Sequence, residues 1–382
     1  MKRERSFMFG VPVGDHNFIG REKEIRRLRA NFLNGINSIL ISPRRWGKTS
    51  LVDHVRNHLD TPGIVTVYVD AFACRSEYDF YNALAGAIMK QTASQRELWL
   101  KNIKDFLLRI VPKLTYSPET YTDFSVSLGI TPNEYSPEEL LQLAETVAEK
   151  KDIELVICID EFQKLGEFQH SLDFQRRLRS VWQHQKRVSY CLYGSQCHMM
   201  MDMFQRHNMP FYQFGDTFFL ERIEIETWVE YIVSRYQEAE HDITPQLASE
   251  ICQAVECHSS YVQQLAWLIL TQLNPGEAAS IQHLQQGIED LLDANEMLFL
   301  QQISQLTTYQ MNFLRAMSAG IVDGFNTRNV INQFNLGSSS SNITRLKQAL
   351  IDADLIEPIG KKMQFTDPVF ASWFKRYIAK QL

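Results

Sequence analysis

The sequence predicts an α/β core built on a parallel sheet covered by helices on both faces, followed by a helical region. Two observations carry the core. Short apolar runs at 38–41, 64–69, 155–159, 188–193 and 217–220 read as strands, and helical patterns at 22–32, 50–59 and 138–150 alternate with them. A strand that is apolar at every position, not at every second one, is buried on both sides, as parallel strands with crossover helices are. A third observation sets the helical region: after residue 221 the strands stop, and helical periodicity runs from 226 to 300.

The 382 residues are 45% hydrophobic and 22% charged, a profile of ordinary globular chains, and the length suggests two or three domains. A formal net charge of −6 argues against a protein that coats nucleic acid indiscriminately. Lys2, Arg3 and Arg5 are not followed by the apolar segment of a secretory signal, and no apolar run approaches a membrane span. Of the six cysteines, Cys74, Cys158 and Cys191 lie in or beside strand-like runs. Cys252 and Cys257 precede His258, but a second pair at zinc spacing is missing from the sequence. The expectation is a reduced, cytoplasmic protein without a membrane association. Between 92 and 136 a helical stretch at 95–111 gives way to a Ser/Thr/Pro/Tyr-rich segment, which reads as an insertion or lid-side loop.

The first strand runs straight into Ser42-Pro43-Arg44-Arg45-Trp46-Gly47-Lys48-Thr49-Ser50 and then into a helix. A strand, a turn and a helix start in one line aim successive backbone N–H groups, and the positive end of the helix dipole, at an anion. Gly47 permits close backbone approach to phosphates, Lys48 reaches the β- and γ-phosphates, and the Thr49 hydroxyl ligates Mg²⁺. The segment is thus a P-loop phosphate cradle for ATP or ADP. It departs from G-x-x-x-x-G-K-[ST] at the first position, where Ser42 replaces glycine. Serine resists positive φ, so an altered start to the loop is expected.

The strand 155–159 ends in Asp160-Glu161. An aspartate at that strand end holds the magnesium shell, and an adjacent glutamate can act as general base on the attacking water. Two acids that merely end a buried strand at the surface are the plainer alternative, which the cradle makes the weaker one. The next strand ends in Gly194-Ser195-Gln196, where a polar side chain would lie between the first and third strands. Ser195 or Gln196 is therefore placed to orient the water near the γ-phosphate.

Five segments together resemble the archaeal-type ATPases of the STAND branch of AAA+ proteins, across nearly the whole chain. They are Phe18-Ile19-Gly20-Arg21-Glu22-Lys23-Glu24, the P-loop from Pro43 to Ser50, Asp160-Glu161-Phe162-Gln163, Gly194-Ser195, and His258-Ser259-Ser260-Tyr261-Val262-Gln263. Departures are Ser42, Ser259 where proline is usual, and a stretch from Phe211 to Gly215 without an arginine often found thereabouts. The resemblance implies an ATPase core over 1–220, a helical lid over 221–300 and a winged helix over 301–382. It places the segment around Arg21 beside the adenine, while by residue chemistry His258 is a donor for the phosphates. It also implies a molecular switch without naming its client; the partner expected through the last segment is a protein client or double-stranded DNA, with oligomers allowed. Arg176, Arg177 and Arg179 are, by charge, the candidates for an arginine finger.

Two functions compete on these residues. One is a Mg²⁺-dependent ATP-hydrolysing switch, favoured by Lys48, Thr49, Asp160 and Glu161. The other is a nucleotide-holding, DNA-binding regulator with little turnover, favoured by Ser42 and the missing arginine. The lack of an Asn-Lys-x-Asp guanine motif argues for adenine over guanine. For the last segment, helices are expected at 308–318, 327–334 and 340–352, with a β-wing at 356–365 carrying Gly360-Lys361-Lys362 at its tip. Asn342, Arg345 and Gln348 would face outward, opposite Ile343, Leu346, Leu350 and Ile351. Residues 301–382 hold nine Lys/Arg against five Asp/Glu, a net of +4 on a chain of −6.

Overall fold

The computed structural model describes residues 6–92, 137–337 and 340–379. The helix expected at 95–111 and the insertion reaching to 136 lie outside them. The chain folds into two compact units. One holds Arg21–Arg44 and Lys48–Glu221, the other Arg222–Leu382 together with Met1–Gly20 and Arg45–Gly47.

The first unit is a five-stranded parallel sheet in the order β2-β3-β4-β1-β5. Its strands are β1 (Ser38–Ile41), β2 (Ile64–Asp70), β3 (Glu154–Asp160), β4 (Val188–Gly194) and β5 (Asp216–Phe219). All four residues of β1, all seven of β4 and the last six of β3 are buried, as continuous apolar runs require. The order puts β4 between β1 and β3, with Ser38 opposite Cys191, and Cys158 also opposite Cys191. The ends of three neighbouring strands therefore come together: the loop after β1, Asp160-Glu161 after β3, and Gly194-Ser195 after β4. Helix Lys48–Asn57 buries Leu51, Val52 and Val55, and helix Glu22–Leu33 buries Leu28 and Phe32. The latter is tied to β5, where Arg27 and Asn31 bond the Asp216 carboxylate, the Asn31 bond at 2.9 Å.

The second unit shares one apolar core from Phe7 to Phe374. Its helices Ile225–Glu238, Pro245–Ala254, Ser259–Gln272 and Ile281–Ser304 cover the helical stretch read from sequence and run past its end at 300. Local rules set their starts. Thr244 accepts from Leu247 N–H with Pro245 at the first position, and Ser280 with His283 forms a capping box. Helices Thr308–Ser318, Arg328–Phe334 and Ser340–Asp352 follow, then an antiparallel pair β6 (Ile356–Ile359) and β7 (Lys362–Phe365), and helix Pro368–Trp373.

The division differs from the expected one in two places. Residue 300 lies inside the helix Ile281–Ser304. Phe299 on that helix sits 5.4 Å, ring to ring, from both Phe370 and Trp373, so the apolar core runs across the expected boundary. The segment before Gly20, expected in the sheet unit, belongs to the helical one. Phe7 packs edge-on to Tyr231 and Tyr236 at 5.9 Å each, and Met8 N–H donates to Gln263. Among the described residues no helix is long and apolar enough to cross a membrane.

Candidate nucleotide site

The cradle starts where β1 ends. Ser42 is buried, donates its hydroxyl to the Pro43 carbonyl at 3.0 Å, and lies outside the left-handed region. The expected disturbance from a missing glycine therefore does not arise, because this position never needs positive φ. The left-handed residues of the loop are Arg45, at φ 62°, and Gly47, at φ 92°. At the second of these a side chain would be strained whatever the space around it. Lys48 opens its helix immediately afterwards. The first-turn N–H groups of a helix lack intrahelical acceptors, and the dipole makes that end positive, so it suits an anion.

Lys48, 6% exposed, reaches across to Glu161, its Nζ 3.2 Å from Oε1. Thr49 Oγ1 donates to Asp160 Oδ2 at 2.8 Å, while Asp160 Oδ1 accepts the Glu161 N–H at 2.8 Å. Burial pushes the Asp160 carboxyl up to about 6, against the pull of Lys48 and Thr49. Glu161 leaves the strand at φ 50°, which turns the chain at once into the 3₁₀ segment Phe162–Glu167. Its Oε2 accepts from Ser195 Oγ at 2.8 Å and from Gln163 Nε2 at 2.5 Å. Burial pushes this carboxyl up, but Lys48, Gln163 and Ser195 outweigh it and hold it below its ordinary value. Two neighbouring carboxylates are thus set apart, one harder and one easier to ionise.

This donor set has a definite chemistry. Thr49 and Asp160 offer hard oxygens to a small divalent cation, next to the Lys48 ammonium and a helix N-terminus that suit a phosphate chain. The residues present fit Mg²⁺ and a nucleoside phosphate.

Lys48, Thr49, Asp160, Glu161 and Ser195, all read from sequence, meet in one cluster. Of the two candidates after β4, Ser195 bonds Glu161, whereas Gln196 sits at the N-cap of helix Cys197–Gln205. Ser50 is buried in the first turn of its helix, and Arg44 is exposed. Arg21 does not present a free guanidinium: it is buried, and its Nη1 bonds the Glu221 carbonyl and Glu24, the latter at 3.3 Å. In the helical unit, His258 packs its ring 4.6 Å from that of Tyr261. The Tyr261 hydroxyl donates to Asp367 at 2.5 Å. Trp46 lies under the Arg222 guanidinium at 5.5 Å. The finger candidates are engaged on their own unit: Arg176 with Asp173, Arg177 with Glu77 and Tyr81, Arg179 over Phe214. Sequence reasoning missed Gln163 as a site residue. Its signal was its place in the Asp160-Glu161-Phe162-Gln163 segment, where it was given no role.

Parts of the chain and its fold have counterparts among known proteins. Residues 37–199 match a family model described as an AAA domain, and residues 296–374 match one described as a domain of unknown function. The fold is that of a P-loop NTPase. A Walker-type ATPase of Pyrococcus abyssi is similar at 16% identity over 97% of this chain and 100% of that one, with a TM-score of 0.70. The ORC2 protein of Aeropyrum pernix, solved in ADPNP–ADP complexes, is similar at 13% identity over 96% of each chain, with a TM-score of 0.59. At these identities the likeness is one of fold. No curated protein matched the chain.

Proposed function

We propose that this protein is a Mg²⁺-dependent ATPase whose nucleotide state is passed to its helical unit. The observation that carries the proposal is the cluster in which Glu161 bonds Lys48 and Ser195 while Thr49 bonds Asp160. Those residues are the parts that phosphoryl transfer to water requires. The fold-level likeness to a Walker-type ATPase and to a protein solved with adenine nucleotides supports the same reading.

In this mechanism Lys48 offsets the charge of the β- and γ-phosphates, and the loop N–H groups around Gly47 hold their oxygens. Thr49 and Asp160 would hold Mg²⁺, which supplies charge neutralisation of the phosphate oxygens when bound. Glu161 accepts a proton from the attacking water, with Ser195 orienting its carboxylate. Arg21 is read as a brace for the helix Glu22–Leu33 and not as a purine contact, since its guanidinium is buried against Glu24 and Glu221. Burial pushes the pKa of the Tyr261 hydroxyl up, Arg45 of the loop lies close enough to pull it down, and that hydroxyl bonds Asp367 at the cap of the helix Pro368–Trp373. That proximity supports a switch in which the loop's state reaches the last segment.

The decisive test is Lys48→Ala. Calorimetry should show micromolar MgATP binding by the natural chain and a loss of ~100-fold or more in the variant. Retained affinity would remove the cradle assignment.

A second reading, a DNA-contacting regulator, is favoured by one observation. The final helices and the β6–β7 pair have the element order of a winged helix, and Arg345, Lys361 and Lys362 are exposed on it. Against it, Asn342 is turned inward to the Leu336 carbonyl, and Gln348 bonds Asp352. These two residues, expected to face a partner, are thereby engaged within the chain.

A further inference from the structure

Three side chains converge on Glu161, and two of them, Lys48 and Ser195, belong to the reaction already argued. The third is Gln163. It is fully buried, and its Nε2 makes the shortest contact to the carboxylate, 2.5 Å to Oε2. Its amide orientation is forced, because turning it over would set oxygen against oxygen.

The forced orientation leaves the other end of the amide in a poor place. Gln163 Oε1 is buried and finds no hydrogen-bond partner among the described residues. It lies against Gly194, so closely that a Cβ added there would come within 1.8 Å of it. Buried amide oxygens are nearly always partnered, and one that is not calls for a reason. Leu or Met would fill this volume without an orphaned acceptor, so packing does not explain a glutamine. What glutamine supplies is the N–H aimed at Glu161.

Its anchorage suits that task. The 3₁₀ segment Phe162–Glu167 starts directly after Glu161, and Phe162 on one side of Gln163 is fully buried. The donor is therefore held by a turn and by packing, whereas a serine hydroxyl rotates freely.

We propose that Gln163 is a positioning residue that, with Ser195, pins Oε2 of Glu161 and so leaves Oε1, once the phosphates have drawn Lys48 from it, as the atom that takes the proton from the attacking water. The proposal rests on Glu161 being the base. In the step, one O–H bond of the water breaks as its proton passes to Oε1. The water oxygen bonds the γ-phosphorus, and the bond from that phosphorus to the bridging oxygen breaks, with its electron pair leaving on ADP.

The test is Gln163→Met, which keeps the volume and removes the donor. At saturating MgATP, kcat should fall about tenfold or more, the scale expected when a reacting group is misplaced. The Kd for MgATP should stay within about twofold. On a Glu161→Gln background the same substitution should cost nothing further, because its effect runs through Glu161. A kcat equal to that of the natural chain would overturn the proposal, and so would losses that multiply in the double variant. If Gln163→Met does not fold, Gly194→Ala tests the same contact from the other side, since its Cβ must push the amide away. A kcat-selective loss is expected, and unchanged turnover overturns the proposal. Glu161→Gln turning over like the natural chain would mean that the base assignment itself has failed. A dead Glu161→Gln beside a fully active Gln163→Met would fail the positioning role alone.

Discussion

Glu161→Gln tests the site on two counts, because Glu161 both faces the water and holds Lys48. The Lys48–Glu161 pair is 3.2 Å long, with side chains 8% and 20% exposed. At an effective dielectric of ~20, two unit charges at that distance attract by about 5 kcal/mol, before either is desolvated. A phosphate chain entering the cradle must draw Lys48 away from this partner. The glutamine keeps the size and removes the competing charge. If only about a quarter of the gross attraction survives desolvation, roughly 1.4 kcal/mol is returned to binding, a factor of about ten. MgATP should therefore bind about tenfold more tightly to Glu161→Gln, while phosphate release falls by ~10²-fold or more through loss of the base. Stability should cross over. Without nucleotide the variant leaves Lys48 buried without its counter-charge and should melt earlier, while saturating MgATP should raise its Tm more than that of the natural chain. Calorimetry, a phosphate-release assay and thermal melts read the three effects. Weaker MgATP binding in the variant, or turnover at the natural rate, would refute the reasoning.

Thr49→Val removes the hydroxyl that bonds Asp160 at 2.8 Å, so ATP affinity measured with Mg²⁺ should drop towards the value measured with a chelator. An unchanged Mg²⁺ effect would take Thr49 out of the metal shell. Arg27 bonds the Asp216 carboxylate, which with the Asn31 bond holds that carboxyl below its ordinary value of 3.8. A depressed acid contributes stability that is present above its unfolded value and lost as pH falls through the folded one. Below about pH 4 the natural chain should therefore lose stability more steeply than Arg27→Met, and parallel acid melting curves would count against the linkage. Lys361→Glu/Lys362→Glu should abolish any salt-sensitive binding of duplex DNA seen by fluorescence anisotropy. Binding unaffected by the double substitution would leave the last segment as a packing module.

Much of the site is legible in one dimension because P-loop chemistry sits at strand ends. Strands 38–41, 155–159 and 188–193 are continuous apolar runs, and the residues immediately after each must emerge at one edge of a parallel sheet. That places Lys48, Thr49, Asp160, Glu161 and Ser195 as candidates from sequence alone. Their union needs the strand order, and β4 lies between β1 and β3 in the structure. In the structure, helix starts also follow local rules, Thr244 with Pro245 at one and the Thr307–Gln310 capping box at another.

Other features were decided only in three dimensions. Ser42 looked disruptive because a motif prescribes glycine, but a motif does not state φ, and the left-handed turn falls at Arg45 and Gly47 instead. Arg21 looked available because charge is visible in sequence, whereas its burial against Glu24 and the Glu221 carbonyl depends on a segment 200 residues away. The N-terminal residues join the helical unit because Phe7 finds Tyr231 and Tyr236, a packing choice that no local pattern encodes. Gln163 is the clearest case. In the sequence it stands at the end of the Asp160-Glu161-Phe162-Gln163 segment with no role of its own, and its meaning appears only when Gly194, at the end of β4, lies against its oxygen and fixes its N–H on the carboxylate. Periodicity and strand-end chemistry are local and survive in the sequence, while burial, amide orientation and charge pairing depend on distant segments brought together by folding.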